Sequence, residues 1–114
     1  MMMEEIANQL DQVREEMAQL LHAYATADES SREHIYHRCE SLGGEIQELV
    51  GLLKLTIYNA NREAEAEADS DPIYAREIAE LSRDSLAAIH AAGREVSAAI
   101  TLLRSSREEE EELE

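Results

Sequence analysis

Apolar residues recur along most of the chain at alternating steps of four and three, the period of an amphipathic helix. Ile6, Leu10, Val13, Met17, Leu20 and Tyr24 form the first such seam and predict a helix over residues 3–27. Glu4 and Glu5 fall in its first turn, where the helix dipole favours acids. "TADESS", residues 26–31, reads as the first connection. Ser30 or Ser31 is the expected N-cap of the second helix, with Glu33 near the capping-box position.

The second seam reads Ile35, Cys39, Leu42, Ile46, Leu49, Leu53, Thr56 and Ala60, and predicts a helix over residues 31–68. It passes through the adjacent Gly43 and Gly44 with no change of phase. One unbroken helix is therefore expected, each glycine costing about 1 kcal/mol relative to alanine. A kink or short turn at the pair is the alternative. "ADSDP", residues 68–72, is the clearest punctuation. Asp71 as N-cap and Pro72 at the first helical position open a third helix over residues 72–107. Its seam is Ile78, Leu81, Ser85, Ile89, Ala92, Val96, Ala99 and Leu103. The glutamates beyond it oppose the dipole at a helix C-terminus, so residues 108–114 are expected to fray.

At 1.5 Å per residue, the first helix spans about 38 Å and the other two about 55 Å each. Short connections make neighbours antiparallel. The expected fold is all-α: one domain over residues 1–114, an antiparallel three-helix bundle with a long helical hairpin. Measured outward from each turn, the first helix reaches only to about Lys54. The distal hairpin, residues 55–84, is then left without a third helix, yet it carries Leu55, Ile57, Tyr58, Ile73, Tyr74, Ile78 and Leu81. A lone chain rarely leaves such a patch in water. Completion by a second copy across a two-fold axis is the economical solution, and the expected partner is the chain itself. Gly44 and Gly51 fall with Leu55 and Tyr58 on the back of the second helix, where glycine lets another backbone come close. The expected oligomer contact is Gly44, Gly51, Leu55, Ile57, Tyr58, Tyr74, Ile78 and Leu81.

Composition narrows the partners. The 114 residues carry 26 Asp+Glu against 10 Lys+Arg, a net charge of −16. Phosphate binding needs a basic stripe, so nucleic acid and anionic membrane are poor partners. No apolar run is expected to approach the roughly 20 residues of a membrane span. A single cysteine, Cys39, excludes an intrachain disulfide and fits a reducing compartment. The "MMMEE" start lacks the basic and apolar regions of a secretory leader, so a cytoplasmic or recombinant soluble protein is expected.

Each chemical signal has a blander reading beside it. His22, His34 and His37 flank the first turn and are the metal candidates, but His22 and His37 point away from their seams; exposed titratable side chains are the simpler expectation. Cys39 sits on the seam as a small buried residue. Gly51, Ser82, Ser85, Ala92 and Gly93 form a small-residue zone, read either as tight packing or as a pocket with two hydroxyls. Glu63, Glu65, Glu67, Asp69 and Asp71 read as a solvated run without EF-hand spacing. No catalytic residues and no cofactor are expected.

Three unbroken heptad-like segments, the "SDP" start at Ser70–Pro72, the glutamate-rich end and a terminal Leu113–Glu114 like a cloning scar give the chain a style. In these features it resembles de novo designed helical bundles. That resemblance implies programmed assembly or a binding scaffold, with catalysis less common. One lysine against nine arginines, a free cysteine, mid-helix glycines and scattered histidines depart from it, and a natural helical protein stays open. The expected function is non-enzymatic self-association in an assembly or scaffold role. The alternatives are a small-molecule or metal-binding bundle, and an adaptor that presents the distal hairpin to another protein.

Overall fold

The computed structural model describes the backbone of residues 3–113 and the side chains of residues 3–109. Three helices follow one another: α1, Met3–Tyr24; α2, Glu29–Glu67; and α3, Pro72–Leu113. Each packs on the other two. The chain is all-helical among the described residues, and its long axis measures 67 Å against 19 and 16 Å across.

The seams do build the core. Ile6, Leu10 and Met17 of α1 meet Cys39, Leu42, Ile46 and Leu53 of α2 and Ile89, Ala92, Val96, Ala99 and Leu103 of α3. With no phenylalanine or tryptophan in the chain, aliphatic side chains make up nearly all of it. Fully burying one such side chain is worth about 1.5–3 kcal/mol.

α2 runs unbroken through Gly43 and Gly44, and no glycine has a positive φ. Its start differs from the serine caps read in the sequence. Asp28 is the N-cap, its carboxylate accepting a hydrogen bond from the Ser31 N–H at 2.8 Å. A carboxylate both accepts more strongly than a hydroxyl and suits the positive end of the dipole. At the second turn Asp71 Oδ1 accepts from the Tyr74 N–H at 3.1 Å and Pro72 opens α3, as the sequence predicts.

Two further differences have physical causes. α3 continues to Leu113, past Arg107 where the sequence ends it. Glutamate is a good helix former, and here that propensity outweighs the dipole. Glu114 lies outside the described residues. Second, Ile57, grouped with the outward contact residues, is 5% exposed and belongs to the chain's own core, while Thr56 of the seam is only half-buried. A seven-residue seam drifts by about 20° per heptad on a straight helix, so after three heptads Thr56 has rotated out and Ile57 in.

The Arg14–Glu95 pair fixes the register of α1 along α3. It sets Met3 level with about Asp84. Beyond that level α3 packs on α2 alone, and the bundle thins to a two-helix hairpin.

Candidate interaction face

α2 carries an outward face on the side turned from its core residue Ile46. At 100° per residue, Glu33, His37, Glu40, Gly44, Gly51, Leu55, Tyr58 and Arg62 fall in a sector about 60° wide. All eight are exposed. Leu55 is 57% exposed and Tyr58 59%, so two large apolar side chains stand in water side by side.

Charge divides this face. In its N-terminal half the His37 imidazole lies between two acids, 3.9 Å from Glu33 and 3.6 Å from Glu40. In its C-terminal half the Arg62 guanidinium lies 5.8 Å from the centre of the Tyr58 ring, and Lys54 flanks Leu55. A methyl group added at Gly44 or at Gly51 would meet nothing within 4 Å. Both have ordinary helical φ values. Nothing inside this chain therefore requires glycine at either position. Gly43 is different: it is buried, and an added methyl would lie 3.9 Å from Val96 Cγ1.

The remaining predicted contact residues divide. Tyr74, Ile78 and Leu81 are half-buried along the inner side of the distal hairpin. Leu52 at 42%, Leu86 at 41% and Leu102 at 54% are exposed apolar residues as well. Leu52 and Leu102 sit off the seams, and a count of apolar residues outside the seam was the signal that would have found them.

The small-residue zone packs rather than opening. Ser82, Ser85 and Ala92 are buried, and Ser82 Oγ donates to Asn61 Oδ1 at 3.1 Å instead of to its own preceding turn. Gly51 faces solvent away from them. Gly93 borders a concavity, a groove of about 580 Å³ between α2 and α3 also lined by Ile46, Val50, Lys54, Ile89 and His90. A second hollow of about 260 Å³ lies toward the other end, between Tyr36, Glu40, Gly43 and Gly44 of α2 and Val96 and Ile100 of α3, so Gly44 and Glu40 of the outward face also border it. Arg107 sits over Tyr36 there, 4.5 Å from the ring centre.

The histidines do not converge. His22, His34 and His37 are all exposed, and among the described residues no three His, Cys, Asp or Glu side chains are grouped to hold a metal ion. Cys39 is buried, and desolvation pushes its thiol pKa up, which disfavours the reactive thiolate.

α3 departs from the expectation that no apolar stretch approaches the length of a membrane span. An 18-residue window within Pro72–Glu109 has a mean hydropathy of 1.2, and 28% of it is buried. By length and composition that helix is apolar enough to cross a membrane, a test the core helix of a bundle also passes.

No family model matches the chain, and neither a curated protein nor a solved structure matches it. Its class is therefore defined by its own fold and faces: a helical bundle with an exposed, partly apolar flank on its longest hairpin.

Proposed function

We propose that the chain is a non-enzymatic, self-associating helical bundle with an assembly or scaffold role. The observation that carries this reading is the outward pair Leu55 and Tyr58, more than half exposed beside an open Gly51. Burying apolar area of that kind is the main favourable term in association. The thin distal hairpin supports the same reading, because its inner residues Tyr74, Ile78 and Leu81 are only half-buried by the chain itself.

Sedimentation equilibrium tests it. A dimer or larger species is expected at tens of micromolar. Leu55→Glu combined with Tyr58→Ser is expected to give a monomer with unchanged helicity. A wild-type chain that stays monomeric at that concentration counts against self-assembly and favours the adaptor role.

A second reading has one observation behind it. The α2/α3 groove of about 580 Å³ falls in the size range of small-molecule sites and joins Ile46, Val50 and Ile89 to the polar His90 and Lys54. A small-molecule function predicts that some ligand in a thermal-shift screen raises the melting midpoint, and that Gly93→Leu removes the effect.

A further inference from the structure

We propose that the second copy packs antiparallel on the outer face of α2, about a two-fold axis beside Gln47 and Glu48. Gly44 of each chain then lies opposite the partner's Gly51. The proposal rests on the self-association reading and adds to it the face, the direction and the register.

Three observations lead to it. First, Gly44 and Gly51 weaken α2, yet each has open space and an ordinary φ, so no contact or backbone strain within the chain calls for glycine at either position. They are seven residues apart, on one side of the helix. Second, Leu55 and Tyr58 stand exposed on the same side and supply apolar area. Third, the face is acidic at one end, with Glu33 and Glu40, and carries Arg62 at the other, with Glu65 and Lys54 beside it on one rim.

The charges choose the direction. A parallel pairing sets acid against acid and base against base. The antiparallel pairing with Gly44 opposite Gly51 sets Glu33 level with the partner's Arg62. It brings Glu40 beside the partner's Lys54, and His37 level with the partner's Tyr58. Each contact occurs twice, as an isologous interface requires. Complementary charge of this kind selects register and excludes wrong pairings. Two contacts oppose: Glu48 lies next to the axis, so the two copies bring their Glu48 carboxylates toward each other on one rim, and on the other rim Glu65 comes level with the partner's Glu29.

The Glu48 opposition makes a sharp test, and cysteine pairing makes another. In a Cys39→Ala background, an equimolar mixture of Gly44→Cys and Gly51→Cys chains is expected to oxidise to a covalent dimer. Either variant alone is expected to stay uncrosslinked, because like positions lie about 10 Å apart along the helices, beyond the roughly 7 Å that a disulfide spans. Separately, Glu48→Gln is expected to tighten the dimer severalfold, and Lys54→Glu with Arg62→Glu to weaken it about tenfold or more. The measurements belong at 0.15 M salt, where repulsion between two chains of net charge −16 is screened beyond about 8 Å. Cross-linking of Gly44→Cys with itself overturns the antiparallel direction. A dimeric mass with no cross-link in the mixture and no response at Glu48 overturns the face and register, while self-association stands. A monomeric wild-type chain removes both.

Discussion

Arg14 of α1 holds Glu95 of α3 by two parallel hydrogen bonds, Nε to Oε2 at 2.8 Å and Nη2 to Oε1 at 2.7 Å. The contact joins residues 81 apart in sequence and pins the short helix against the longest one. Asp11 is a second partner and accepts a third hydrogen bond, 3.2 Å from Arg14 Nη1. A planar fork on a carboxylate fixes direction as well as distance.

The pair makes stability pH-dependent. Hydrogen bonds from Arg14 hold the Glu95 carboxyl below its ordinary value of 4.5, against the smaller opposing effect of its partial burial. A depressed carboxylate contributes fully above its unfolded pKa and loses that contribution as pH falls through its folded one. Glu95 is 51% exposed, so solvent screening limits the pair to about 1 kcal/mol or less. In urea melts, the stability gap between wild type and Glu95→Gln is expected to be flat from about pH 7 to 5.5 and to close at lower pH. A gap that persists unchanged at pH 3 would mean that the ion pair is not its source.

Asp28 carries a related signature at the start of α2. Its carboxyl is held below the ordinary 3.8, first by the Ser31 backbone N–H. The sign is the same: the charged cap stabilises above that value and fails as the acid is protonated. Asp28→Ala is expected to lower the thermal midpoint at pH 7. Asp28→Asn keeps a neutral acceptor, so it is expected to retain most of the midpoint and to lose the acid sensitivity. Circular dichroism melts at pH 7 and pH 3 check both variants.

Glycines separate local stability from assembly. An added methyl at Gly93 meets nothing within 4 Å, so Gly93→Ala is expected to stabilise α3 by about 0.5–1 kcal/mol. Its mass in solution should not change. Gly51→Leu adds a bulky side chain in equally open space, and should likewise leave helicity intact. It is nevertheless expected to dissociate the assembly. Undiminished association of Gly51→Leu in light scattering would remove the close-packing role of that face.

The sequence made the seams and their continuity legible because burial repeats every 3.6 residues and leaves its mark on every turn. Gly43 and Gly44 interrupt neither the phase nor the helix. Asp71 and Pro72 were legible for a local reason, each having one strong positional preference at a helix start. At the first turn the sequence favoured Ser30 or Ser31 and passed over Asp28, because the capping-box position of Glu33 pointed to the serines. The outward placement of Gly44, Gly51, Leu55 and Tyr58 followed from angle alone. Ile57 did not, because a small drift per heptad accumulates along a 39-residue helix. The Arg14–Glu95 pair was invisible, since nothing in one sequence fixes how far α1 slides along α3.

Burial predicts the behaviour of Cys39. Its side chain is 3% exposed, and desolvation raises its pKa. Alkylation by iodoacetamide at pH 8 is expected to be more than about tenfold slower in the folded chain than in 6 M urea. Equal rates would place the thiol in solvent, outside the core formed with Leu42 and Ile46.

Asn61 and Ser82 supply a polar contact between α2 and α3 in the section that α1 does not reach. The Ser82 hydroxyl is buried and its bond to Asn61 is 3.1 Å long. Around it the contact is made by small or aliphatic residues, including Ile57, Ala64 and Ser85. Ser82→Ala leaves the Asn61 oxygen without its donor, an expected cost of about 1 kcal/mol. Removing both polar groups, as Asn61→Leu with Ser82→Ala, is expected to restore or exceed wild-type stability, because no unpaired polar atom then remains. The restored protein should still differ in one respect. An apolar contact is non-directional, so α2 and α3 lose a fixed point of register in their thinnest section. Amide exchange over residues 57–67 and 72–82 is therefore expected to speed up in the double variant at matched global stability. Slow exchange there, with stability restored, would mean that helix packing alone sets the register and that the hydrogen bond is incidental.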